Sequence, residues 1–188
     1  MSSDGSSGGS GGNGVHRIEF GIELTSPIKQ DRFNGQEREK ELKQRPHAEQ
    51  AEAHAYRCGN GNVAVPAMWI YHGVLDAYYQ MAGKTKTQAQ TFAASRIQVQ
   101  PALLDTGQPG YEIDVASAPA GSTFRGGTRD TFVKPRIDSA RVGGVLVTSL
   151  PAKEVRERLE FVGENIGIGS DRKHGYGRFK ITDWRVVN

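Results

Sequence analysis

Residues 163 to 179 read Gly163-Glu164-Asn165-Ile166-Gly167-Ile168-Gly169-Ser170-Asp171-Arg172-Lys173-His174-Gly175-Tyr176-Gly177-Arg178-Phe179, five glycines in one loop. Glycine permits positive φ and lets a second backbone come close. Successive N–H groups in such a loop can form an anion-binding concavity. Arg172, Lys173 and Arg178 put positive charge beside it, with His174 and Tyr176 among them. A second basic segment lies upstream, where Arg125, Arg129, Lys134, Arg136 and Arg141 outnumber Asp130 and Asp138. Two basic, glycine-containing segments suit the phosphate backbone of a nucleic acid, although an ordinary solvated surface has the same composition. Aromatic rings add a second chemistry, since each stacked base is worth ~1–3 kcal/mol. The candidates are Tyr176, Phe124 beside Arg125, and Phe132. Core packing is the alternative for the two phenylalanines.

Other chemistries fit less well. A phosphate-binding P-loop needs Gly-x-x-x-x-Gly-Lys-Ser/Thr between strand and helix, and the string is absent. Gly167-Ile168-Gly169 follows a predicted helix and precedes a strand, the reverse of a dinucleotide fingerprint. Of the five histidines (His16, His47, His54, His72, His174), only His174 stands in a basic setting. His47 and His54 flank Glu49 and Glu52 without HExxH spacing, so no metal site is expected there. Cys58 is alone and has no disulfide partner.

The elements that must position the loop follow from periodicity. Residues 1 to 14 are nearly all Gly and Ser and are read as a disordered tail. From His16 to Leu24 polar and apolar residues alternate, the period of a half-buried strand. Lys29 to Ala55 is dense in Gln, Glu, Lys and Arg and is read as a polar excursion without a core strand. It includes an exposed helix over 36–44 and extends, with the turn that follows, to about 62. Pro66 opens an amphipathic helix over about 66–82 that Gly83 stops. Thr85 to Thr91 reads as a short helical turn or loop. Strand character returns at 95–99, 111–115, 131–137 and 140–148, with Gly143-Gly144 marking a bulge or a close backbone contact. Ser149 is placed to cap a helix with Val155, Leu159 and Val162 as its stripe, and 178–187 is a last strand. Without its excursions this is an α+β, ferredoxin-like (RRM-like, split βαβ) order with a polar insertion after the first strand. Residues 15–188 form one predicted domain.

The helix, then GIGSDRKHGYGRF, then a strand, resembles the G-rich loop of the RAMP superfamily of CRISPR proteins. The run Val63-Ala64-Val65-Pro66-Ala67-Met68-Trp69-Ile70 resembles that family's Ile-Pro-then-helix segment. The opening strand ending in Thr25-Ser26-Pro27 fits the backbone-subunit layout. The chain resembles most the compact RAMP-like proteins of phage and mobile elements. The resemblance implies a ferredoxin-like fold whose loop lies against guide RNA. Repeat-cleaving relatives use a histidine as general acid or base, which makes His174 the catalytic candidate. Target-cleaving relatives use an aspartate after the first strand, a place that Asp31 roughly occupies.

The expected function is non-enzymatic binding of single-stranded nucleic acid, RNA favoured, through its sugar–phosphate backbone, with other copies or related subunits as partners. Gly167, Gly169, Arg172, Lys173, His174, Gly175, Tyr176 and Arg178 form the first expected contact surface. Arg125, Arg129, Lys134 and Arg136 form the second. An RNA endonuclease using His174 and an assembly protein without nucleic acid are the alternatives. No cofactor, metal or membrane is expected: no stretch nears ~20 apolar residues and no signal peptide opens the chain, so a cytoplasmic protein is expected. The net charge of +3 decides nothing by itself.

Overall fold

The computed structural model describes residues 14–83, 85–119 and 129–187. Phe124 and Arg125 lie outside them. In chain order the elements are β1 (His16–Leu24), β2 (Ile28–Lys29), α1 (Gln36–Leu42), α2 (His47–His54), β3 (Ala64–Pro66), α3 (Ala67–Ala82), α4 (Lys86–Ala94), β4 (Ile97–Gln100), β5 (Leu103–Asp105), β6 (Glu112–Pro119), β7 (Arg129–Ile137), β8 (Arg141–Thr148), α5 (Ala152–Phe161) and β9 (Phe179–Val187). A π turn (Val162–Ile166) and a 3₁₀ turn (Arg172–His174) lie between α5 and β9. The fold is α+β with antiparallel sheets. No helix among the described residues is long and apolar enough to cross a membrane.

The main sheet runs β4-β8-β1-β9. Alternation in β1 puts Ile18, Phe20, Ile22 and Leu24 into the core. From α3, Ile70, Val74 and Tyr78 meet the same core at four-residue spacing, and α5 adds Val155 and Leu159. The outward face carries Arg17, Glu19 and Glu23 on β1, Arg141 on β8, and Lys180 and Arg185 on β9. These pair across strands: Lys180 Nζ lies 2.7 Å and Arg141 Nη2 3.1 Å from Glu23, and Arg185 holds Glu19. Hydrogen bonds from Lys180 and then Arg141 hold the Glu23 carboxyl below its ordinary pKa. The aromatic rings of these strands (Phe20, Phe179, Trp184) belong to the core side, so this face is not the stacking platform of an RNA-recognition sheet.

A second sheet, β2-β7-β6, and a third, β3-β5, complete the fold. The segment read as a polar excursion is therefore built into the core at its start. Ile28, Lys29 and Gln30 are buried, and β2 pairs with β7. Gln30 Nε2 donates to the Ala64 carbonyl (2.7 Å) and its Oε1 accepts from the Tyr56 N–H (2.9 Å), stitching β2 to the segment entering α3. Composition hid this, because a satisfied amide is as buriable as an apolar side chain. A second helix, α2, also lies in the excursion and buries Gln50 and Ala51. Thr85 and Gln88 form a capping box that makes α4 a true helix. Ser149 does not cap α5, whose N-cap is Pro151 without a side-chain bond; Thr148 Oγ1 instead accepts from the Leu150 N–H. At Gly144 the close contact is real, since a Cβ would lie 2.7 Å from the Gln100 carbonyl oxygen.

The glycine-rich loop folds back on the β1–β2 connection. The Ile168 N–H donates to the Gly177 carbonyl (2.9 Å), the Gly177 N–H to Pro27 (2.8 Å) and the Ser170 N–H to Lys29 (3.0 Å). Ile168 is fully buried as the plug of this crossing. At Gly177, φ is +73° and a Cβ would overlap the Ile168 carbonyl. At Gly169, φ is +85° and a Cβ would lie 2.8 Å from the Lys29 carbonyl oxygen.

These contacts set the stability expected of three substitutions. Gln30→Leu strands the buried Ala64 carbonyl and the half-buried Tyr56 N–H, and urea unfolding should show a loss of roughly 2–4 kcal/mol. Gly177→Ala should cost roughly 2–5 kcal/mol from left-handed strain plus overpacking. Gly175→Ala should cost only about 1–2 kcal/mol, because its φ is +85° but no atom lies within 4 Å of the added Cβ.

Candidate nucleic-acid interface

The pairing of β2 and β6 with β7 sets the site. Lys29 lies opposite Arg136, and Asp114 opposite Lys134, so these four side chains share one face. The glycine-rich loop lays Asp171 and Tyr176 against that face. Lys29 Nζ lies 2.7 Å from Asp114 Oδ2, 3.8 Å from Asp171 Oδ2 and 4.0 Å from the centre of the Tyr176 ring. Burial works to lower the Lys29 pKa, but hydrogen bonds to Asp114 and then Tyr176 outweigh it and leave the ammonium above its ordinary value. Lys134 Nζ bridges Asp31 Oδ2 (3.0 Å) and Asp171 Oδ2 (3.5 Å). Arg136 is held by Asp138 at 2.7 Å, with Asp114 at 3.8 Å.

The loop's own residues divide into two groups. Gly167 and Gly169 are packing positions beneath Tyr176 and Lys29. The N–H groups of Gly167, Ile168, Ser170, His174, Gly175 and Gly177 donate within the protein, as does that of Arg178 to Ser26 Oγ. The loop is therefore no open row of N–H donors. Arg172 Nη1 turns back to Asp76 on α3 at 3.4 Å. Tyr176, a stacking candidate, is half-buried beneath Lys29. On the outer rim Lys173, His174 and Gly175 are exposed. Neither Lys173 nor His174 has an ion pair among the described residues. Arg178 is half-buried, and its Nη1 is buried without a hydrogen-bond partner.

Asp31 is brought beside His54 as well as Lys134. The His54 Nδ1 is 3.5 Å from Asp31 Oδ1 and 3.0 Å from the Arg32 carbonyl, and its Nε2 is 3.4 Å from Glu39. This links α2, α1 and the strand exit. His47 and His72 are exposed on their helices, and no group of three or more metal-ligating side chains occurs among the described residues. Arg129 opens β7, and its side chain, like all of Arg125, lies outside the described residues. Sequence reasoning missed Lys29, Asp114 and Asp171. The i, i+2 series Phe132, Lys134, Arg136 was readable as one strand face, but the partners opposite it depend on register.

No family model matches this chain, and no curated protein matches it. It is similar to a chain in the cryo-EM structure of the type III-B Cmr-beta bound to cognate target RNA, with a TM-score of 0.60 at 9% identity, over 93% of this chain and 61% of that one. It is also similar to the crystal structure of Cmr6 from Pyrococcus furiosus, with a TM-score of 0.42 at 11% identity, over 89% of this chain and 98% of that one. This chain thus spans less than two thirds of the Cmr-beta chain that it matches. The Cmr-beta likeness shows the fold alone, α+β with antiparallel sheets.

Proposed function

We propose that this protein binds single-stranded RNA through its sugar–phosphate backbone, as a subunit present in several copies along the strand. Residues 15–188 are read as one ferredoxin-like domain of the RAMP type. The main-sheet order β4-β8-β1-β9 with α3 and α5 packed in one core supports that reading. So does the likeness to a chain of an RNA-bound assembly.

The observation that carries the proposal is the uneven neutralisation of charge around the glycine-rich loop. Lys29, Lys134, Arg136 and Arg172 all have carboxylate partners within 4 Å. Lys173 and Arg178 have none among the described residues, and His174 stands exposed between them in sequence. A paired cation stiffens the platform and gives little to a ligand, whereas an unpaired one attracts phosphate and releases a counterion. Contacts of this kind position a strand without reading its bases.

Lys173→Ala combined with Arg178→Ala should weaken binding of a fluorescently labelled single-stranded oligoribonucleotide. Two lost phosphate contacts should also lower the slope of log K against log salt by about 1.4. Anisotropy titrations across a potassium chloride series measure both. An unchanged affinity and slope would remove the loop rim from the interface.

A further inference from the structure

A cleft of about 180 Å³ opens where the first strand's continuation passes between α1 and β7, with Asp31, Phe33, Leu42, Lys43, Phe132 and Lys134 among its lining. Two phenylalanines share it while exposed to solvent: Phe33 is 73% and Phe132 41% accessible. Neither is a core residue, so the packing account available for Phe132 from sequence does not apply. The cleft is also close to charge-balanced. Asp31 and Glu39 stand against Lys43 and Lys134, with His54 at the back, its side chain only 12% accessible. Such a site has little net attraction for phosphate, and a carboxylate at its wall repels it. What it offers is two aromatic faces, with Lys43 Nζ 6.0 Å from the centre of the Phe132 ring. The cleft adjoins the glycine-rich loop, because Lys134 Nζ touches both Asp31 inside it and Asp171 of the loop.

We infer that this cleft takes one unpaired nucleobase of the strand, stacked on Phe132 and Phe33, while the sugar–phosphate backbone runs along the loop rim. The occupant is chosen by chemistry: aromatic rings stack any base, and the balanced charges admit the neutral base rather than its phosphate. The inference rests on the RNA binding proposed above and adds a stacking site to it.

The test compares wild type, Phe33→Ala, Phe132→Ala and Phe132→Tyr on a labelled oligoribonucleotide and on a strand of equal length with abasic residues. Both alanine variants should weaken binding to the intact strand by about five- to 150-fold, the span of one stacked base. Phe132→Tyr should restore it, and on the abasic strand all four proteins should bind alike, which also shows that the variants are folded. If both alanine variants bind the intact strand as wild type does while Lys173→Ala with Arg178→Ala weakens it, the stacking site is overturned and the loop interface stands. If wild type binds neither strand, both readings fall. If the alanine variants dissociate an oligomer and leave RNA affinity unchanged, the cleft joins copies of the chain and the stacking site is overturned.

Discussion

Backbone hydrogen bonds from Gly177 to Pro27 and from Ser170 to Lys29 tie the glycine-rich loop to the start of β2, and one from Ile168 to Gly177 closes the loop on itself. Their geometry demands that two backbones touch with no Cβ between them, which Gly177 and Gly169 allow. Through this crossing the main sheet, which ends at β9, is locked to the small sheet, which begins at β2. Everything at the candidate interface is placed by it. It sets Asp171 within reach of Lys29 and Lys134, slides the Tyr176 ring under Lys29, and pushes Lys173 and His174 outward. The glycines serve the protein's own packing first, and any ligand meets the rim that this packing leaves exposed.

Elements with a strong period were legible in the sequence. The alternation from His16 to Leu24 and the four-residue spacing of Ile70, Val74 and Tyr78 became β1 and α3 with those residues in the core. The Val-rich strand over 140–148 and the stripe of Val155, Leu159 and Val162 also stand where periodicity put them. What remained hidden was burial of polar residues. Lys29 and Gln30 look like the start of a solvated excursion, but each is buried because a specific partner satisfies it: Asp114 for the ammonium, Ala64 and Tyr56 for the amide. Partners 26 to 85 residues away leave no local trace. Short strands such as β3 and β5 escaped for a related reason, since three residues carry no readable alternation.

The candidate site was legible as a composition rather than as a geometry. Two basic segments were visible, but register decides which cations are spent. Lys134 and Arg136 alternate onto one face of β7 and meet Asp31, Asp171, Asp114 and Asp138 there. Arg172 reaches Asp76 on a helix 96 residues earlier. A formal count of charges therefore overstates the field available to a ligand, and the carboxylates that correct it come from four other parts of the fold.

The place of β1 between β8 and β9 has a kinetic meaning. Its residues pair with 141–148 on one side and 179–187 on the other, and the Glu19–Arg185 pair spans 166 positions. The central strand is thus made well ahead of both partner strands and must wait for β8 and then β9 before its two edges are covered. Closing such long loops before any contact repays them slows folding. Until then the run from Ile18 to Leu24 is an uncovered β-prone edge, the kind of segment that holding chaperones shield and that pairs with a neighbour when crowded. The charges of Arg17, Glu19 and Glu23, interleaved with its apolar residues, work against that misassociation during the wait.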